Sequence, residues 1–155
     1  MQIDRRWIEA HIPHAGKMCL LDSVLRWDAI RIECRTATHR EIDNPLRSHG
    51  RLGCACGVEY AAQAMAVHGA LVADRARAPA AGYLVGLRRV ILQVARLDDI
   101  ETDLMISGER LDGDGTIVLY EFSVHNELRS FLSGRATVAL DAAALTRPAA
   151  PRATP

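Results

Sequence analysis

Glu59 and Gln63 stand four residues apart in the stretch Cys54 to Val72, which is otherwise rich in Ala and Met and almost free of charge. On a helix, residues four apart project from the same side, so this carboxylate and amide would share one face of an apolar element. A buried carboxylate is costly unless it is paired, protonated or used. Glu59 is therefore a candidate proton donor or acceptor; the alternative is a carboxylate that favours the positive helix end or pairs with a nearby Arg. The cysteines offer less. Cys54 and Cys56 have neither zinc-knuckle nor C-x-x-C redox spacing, and Cys19 and Cys34 lie in apolar strand-like runs, so all four are expected to be reduced, with no metal site.

The element that must carry Glu59 is the one long segment without Pro and with few β-branched residues, so a helix is predicted over Cys54 to Val72, ending at Ala73-Asp74. It is apolar nearly all round, which predicts burial against a sheet. Ahead of it, Asp4 to His11 reads as a short lid or plug helix with Asp4 as N-cap and Pro13 as stop. Met18 to Trp27 and Ile30 to Thr36 read as two strands joined near Asp28. His39 to Gly53, with Asn44-Pro45, Gly50 and Gly53, reads as a loop. After Gly82 come four strand-like runs: Tyr83 to Val94, Leu104 to Leu111, Ile117 to Val124 and Phe131 to Leu140. Turn chemistry falls at Asp112 to Gly115 and at Asn126-Glu127. Two strands, a buried helix and four strands predict an α+β fold, an antiparallel sheet curled around one helix.

With 155 residues, 49% of them hydrophobic, the chain suits one core, giving a domain over 1–140 and an Ala/Pro-rich tail over 141–155 that is expected to be disordered. Lys+Arg and Asp+Glu number 19 each. This balance provides no field for nucleic acid or an anionic membrane and removes the self-repulsion that opposes association. The N-terminus has no apolar run of signal-peptide or membrane-spanning type, and a cytoplasmic location is expected.

The run from Ile12, Pro13 and His14 through Leu20, Leu21 and Asp22 to Leu25, followed by Gly57-Val58-Glu59-Tyr60-Ala61-Ala62-Gln63-Ala64-Met65, resembles the 3-hydroxyacyl-(acyl-carrier-protein) dehydratases of hot-dog fold. The similarity covers roughly residues 5 to 140 and is strongest to the branch associated with aryl polyene pigment clusters. It implies a helix wrapped by the sheet and a dimer, with itself or with a related hot-dog subunit, joined edge to edge with sites at the interface. It also implies dehydration of a 3-hydroxyacyl thioester to the trans-2-enoyl thioester. The substrate would be carried on the phosphopantetheine of acyl carrier protein, with no other cofactor. A histidine and an acidic helix residue perform the proton transfers in that family, and Glu59 matches the acidic position. Backbone amides at the helix start, here near Cys56, Gly57 and Val58, would polarise the thioester carbonyl, with Gly57 allowing close approach.

The family's His-Phe-Pro-Gly segment is replaced here by Asn44-Pro45-Leu46-Arg47. Two other histidines are candidates for the base: His14, ahead of the first strand, and His49, in the loop ten residues before Glu59, reaching the helix start of its own or a partner subunit. His68 is turned away from Glu59 at about 100° per residue and is read as packing or interface. Gln63 is expected to orient Glu59 or a backbone group, and Asp22 to stabilise a strand end. Arg35, Arg40, Arg47, Arg51, Arg88 and Arg89 are candidates for a rim that docks acidic carrier protein. The competing functions are a catalytically weak partner subunit of a heterodimer and a thioesterase in which Glu59 activates water.

Overall fold

The computed structural model describes residues 2–73 and 82–140, so the expected tail over 141–155 lies outside the described residues. The chain opens with a two-residue strand, β1 (Ile3–Asp4), which leads directly into helix α1 (Arg5–His11). Asp4 caps this helix as expected, its carboxylate accepting from Trp7 N–H at 3.0 Å. Ile8 and Ile12 are buried beneath it. β1 was not legible as a strand because two residues carry no periodicity.

The predicted strand over Met18 to Trp27 divides in two. Only Ser23–Trp27 forms a strand, β2, which pairs with β3 (Arg31–Thr36). Cys19, Leu20 and Leu21 are fully buried. They form no strand because side chains hold this backbone: Leu20 N–H donates to Gln63, and Leu20 C=O accepts from the hydroxyls of Thr36 and Thr38. At the β2–β3 turn, Asp28 accepts from the N–H groups of Ile30 and Arg31.

The predicted helix resolves into a 3-10 turn (Cys54–Cys56) and α2 (Gly57–Val72), with Ala73 as C-cap. Tyr60, Ala61, Ala64, Met65 and Val67 are buried, and α2 packs on β3, β5 (Leu104–Gly113) and β6 (Ile117–His125). Strands β4 (Tyr83–Leu92) and β7 (Ser130–Ala139) complete a sheet of order β1-β2-β3-β5-β6-β7-β4, antiparallel at every pairing. The last four strands begin and end close to their expected limits. Alternation decides which face turns inward: Leu104 and Ile106, then Val118, Tyr120, Phe122 and Val124, then Leu132 and Ala136, all lie beneath the helix. This is the hot-dog arrangement that the motifs implied. β4 is the exception to the burial pattern. Among the described residues it pairs only with β7, and its Tyr83, Leu84, Val85, Leu87, Ile91 and Leu92 are all exposed.

Candidate active site

His14 and Glu59 meet where the α1–β2 connection crosses the head of α2. His14 Nε2 lies 3.1 Å from Glu59 Oε1, with the two side chains 28% and 36% exposed. An ionised carboxylate only accepts, so the proton between them is then on His14 Nε2. His14 Nδ1 is buried and has no partner among the described residues.

The connection is fixed at both ends. Upstream, Ile12 is sunk in the core and its N–H closes α1 onto Ile8 C=O, while Arg5 reaches across to Gly16 C=O at 3.2 Å. Downstream, the fully buried Gln63 donates to Met18 C=O at 2.7 Å and accepts from Leu20 N–H at 2.9 Å. The same amide nitrogen lies 3.3 Å from Glu59 Oε1. Gln63 thus clips the segment that follows His14 to the helix turn that presents Glu59, touching Glu59 itself and the backbone at Met18 and Leu20. Asp22 holds the far side of this connection by accepting from Ala37 N–H and from Arg5.

Beside the pair opens a cavity of about 940 Å³. One wall is the small-residue side of α2 beyond Glu59, and Tyr83, Tyr120 and Val138 contribute to the other. Tyr120 and Arg110, which also lines the space, were not singled out from the sequence. The inward phase of β6 places Tyr120 there, but no local motif marks it. His68 is buried behind Tyr120. Its Nε2 faces Asp28 C=O at 2.8 Å and must carry the hydrogen, so Nδ1 accepts from the Tyr120 hydroxyl at 2.8 Å. Burial pushes the Tyr120 phenol up to about 12 and lowers His68 from its ordinary value. His68 is therefore a packing residue, as read from its position.

Within the chain His49 is not brought to the pair. It sits exposed with φ 52° beside Gly50 at φ 73°, at the tip of a turn closed by Ser48 and Arg51, and it does not line the Glu59 cavity. The expected amides at the helix start also need correction. Cys56 N–H donates to Gly53 C=O, and Gly57 N–H to carbonyls of the 3-10 turn, because that turn continues the hydrogen-bond ladder ahead of α2. Val58 is half-buried in the first turn of α2. Gly57 has a packing reason for being glycine: a Cβ there would lie 2.6 Å from Leu132 Cδ2. Asn44, which stands where the family's histidine is replaced, is buried and donates to Thr38 C=O and to the Tyr60 hydroxyl. It braces α2 from the core side.

The six arginines do not form one rim. Arg35 and Arg40 pair with Asp103, Arg47 lies 3.9 Å from Asp98, Arg51 is exposed on the turn it closes with Ser48, and Arg88 and Arg89 sit on β4. Among the described residues no cluster of metal-ligating side chains occurs, and no helix is long and apolar enough to cross a membrane.

Residues 6–146 match the ApeP-like family, described as ApeP dehydratase. The chain belongs to the ApeP-like dehydratase family. Among solved structures it is similar to the dehydratase heterocomplex ApeI:P from Xenorhabdus doucetiae, with a TM-score of 0.75 and 23% identity over 85% of this chain and 89% of that one. It is also similar to zebra fish thioesterase superfamily member 2, with a TM-score of 0.61 and 17% identity over 88% and 95% of the two chains. A thioesterase family protein from Silicibacter pomeroyi matches with a TM-score of 0.62 and 14% identity over 87% and 93%. No curated protein matches the sequence. An ApeP-like dehydratase thus shares its hot-dog framework with thioesterases, and the His14–Glu59 pair is the feature of this chain suited to moving protons.

Proposed function

We propose that this chain dehydrates 3-hydroxyacyl thioesters held on the phosphopantetheine of acyl carrier protein, in fatty-acid or polyketide biosynthesis of the aryl polyene type. The observation that carries the proposal is the 3.1 Å contact between His14 and Glu59 at the head of a long cavity. Dehydration takes one proton from C2 and delivers one to the leaving 3-hydroxyl, so it suits a pair that holds one proton between two groups. In the reactive state the shared proton sits on Glu59, which leaves the Nε2 lone pair of neutral His14 to take the C2 proton, and the C–H electron pair passes through a thioester enolate to become the C2–C3 π bond. The C3–O bond breaks toward oxygen, which takes the proton of Glu59 and leaves as water. The proton on His14 then returns across the same contact to Glu59.

Assembly follows from β4. A long, exposed, largely apolar edge strand is a ready surface for pairing, and the likeness to a dehydratase heterocomplex favours a related hot-dog subunit as the partner. A second reading has this chain as the catalytically weak member of such a pair, because Asn44 occupies the place of the family's histidine and is spent on bracing Tyr60. One experiment separates the two. The chain is assayed alone and with a co-expressed hot-dog partner on 3-hydroxyacyl carrier protein, with wild type compared against Glu59→Gln. Loss of turnover in Glu59→Gln, with assembly intact, supports a catalytic chain; unchanged turnover in the complex supports the weak-subunit reading. Release of free thiol from an acyl thioester would point to thioesterase chemistry instead.

A further inference from the structure

Two glycines of α2 differ in a way that bears on what the cavity holds. Gly57 is required by packing, whereas a Cβ at Gly69 would meet nothing within 4 Å among the described residues. Glycine is among the poorest helix formers, and no described residue excludes a side chain at this position. Gly69 lines the cavity that begins at His14 and Glu59. Ala62, Ala66, Ala70 and Ala73 line it too, following Glu59 at helical spacing. The cavity therefore runs the length of the helix. Gly69 lies ten residues beyond Glu59, roughly 15 Å along the axis at 1.5 Å per residue.

We infer that Gly69 sets the acyl-chain capacity of this site, keeping the channel open for thioesters whose chain extends past it. The inference rests on the dehydratase reading for the nature of the substrate, since it places the reacting carbons at His14 and Glu59. An extended hydrocarbon advances roughly 1.3 Å per carbon from its bond lengths and angles. A chain of about fourteen carbons then passes Gly69, while a four-carbon chain stays near the pair. The facing wall combines Val118, Val138 and Leu140, which suit a hydrocarbon tail, with the polar groups of Arg110, Asp114 and Tyr120.

The test measures binding separately from turnover. The wild type and Gly69→Phe, each in the assembly in which it purifies, are titrated with 3-hydroxybutyryl-pantetheine and 3-hydroxytetradecanoyl-pantetheine, and the same pair is assayed for dehydration. Gly69→Ala serves as a control with a sounder helix and little added bulk. The wild type is expected to bind the long probe at least tenfold more tightly than the short one. Gly69→Phe is expected to lose at least tenfold in affinity for the long probe and less than twofold for the short one. Equal losses for both, an unaffected long probe, or a wild type that does not prefer the long chain would each overturn the inference. Chain-selective binding without dehydration by the wild type would leave the channel assignment standing and remove the proposed reaction.

Discussion

Gln63 Nε2 donates to Met18 C=O at 2.7 Å and lies 3.3 Å from the Glu59 carboxylate that faces His14. One buried amide therefore fixes the distance between two segments that are remote in the chain, and four expectations follow from how the site and its helix are built.

Removing either member of the proton-transfer pair should abolish most turnover. Glu59→Gln and His14→Gln preserve volume and some hydrogen bonding, so both should fold and assemble, with kcat lowered by about 10² to 10⁴, the range typical of a lost general acid or base. His49→Ala should stay within about twofold of wild type, because an exposed turn histidine has no such role. Steady-state kinetics on a 3-hydroxyacyl carrier-protein substrate reads all three, and a His49→Ala loss equal to that of His14→Gln would reverse the assignment.

Gln63→Leu should damage positioning and stability together. It leaves the buried Leu20 N–H and the half-buried Met18 C=O without Gln63 as partner, at a cost of about 1–3 kcal/mol. It also frees the His14 segment to drift, and displacement by about 1 Å can cost roughly 10² in rate. Denaturant unfolding gives the first effect. The second should appear in kcat more than in KM, and Gln63→Glu, which can still accept from Leu20 N–H, should recover part of the stability.

At the start of α2, Gly57→Ala should destabilise by about 1–3 kcal/mol, the usual cost of overpacking, since the new Cβ meets Leu132 at 2.6 Å. Shortening the neighbour relieves that clash. The double variant Gly57→Ala/Leu132→Ala should therefore be more stable than the sum of the single effects, with a coupling of about 0.5–3 kcal/mol. Strict additivity would show that Gly57 serves something other than packing.

Acid should unfold the protein partly through His39 and His68. Burial lowers both from their ordinary value, and each is held by a backbone carbonyl, Ile100 for His39 and Asp28 for His68. In the window between the folded and unfolded values the unfolded chain binds more protons. Their contribution is thus complete above about pH 6.5, the ordinary histidine value, and is lost as pH falls through the lowered folded values. The depressed carboxylates Asp98 and Asp114, the latter held at about 2 by amides and the hydroxyl of Thr116, act only at more acidic pH. Melting temperature should fall between pH 7 and pH 5, and His68→Gln, which cannot charge, should flatten part of that slope.

The α2 helix, the four later strands and their two turns were legible because composition, alternation and turn residues are local properties. So was the family, since the motifs around His14 and Glu59 are contiguous runs. Glu59 and Gln63 were marked by being polar in an apolar helix. Other features depended on long-range hydrogen bonds and close packing, which no local pattern encodes. Cys19 to Leu21 look like a strand but are tied to Gln63, Thr36 and Thr38 instead. His14 and His49 were both open as partners of Glu59 until the core burial of Ile12 and the clip at Gln63 brought one to 3.1 Å and left the other on a turn. Gly57 and Gly69 are the same residue on the same helix, and only the surrounding space separates them, a Leu132 methyl beside one and an open cavity beside the other.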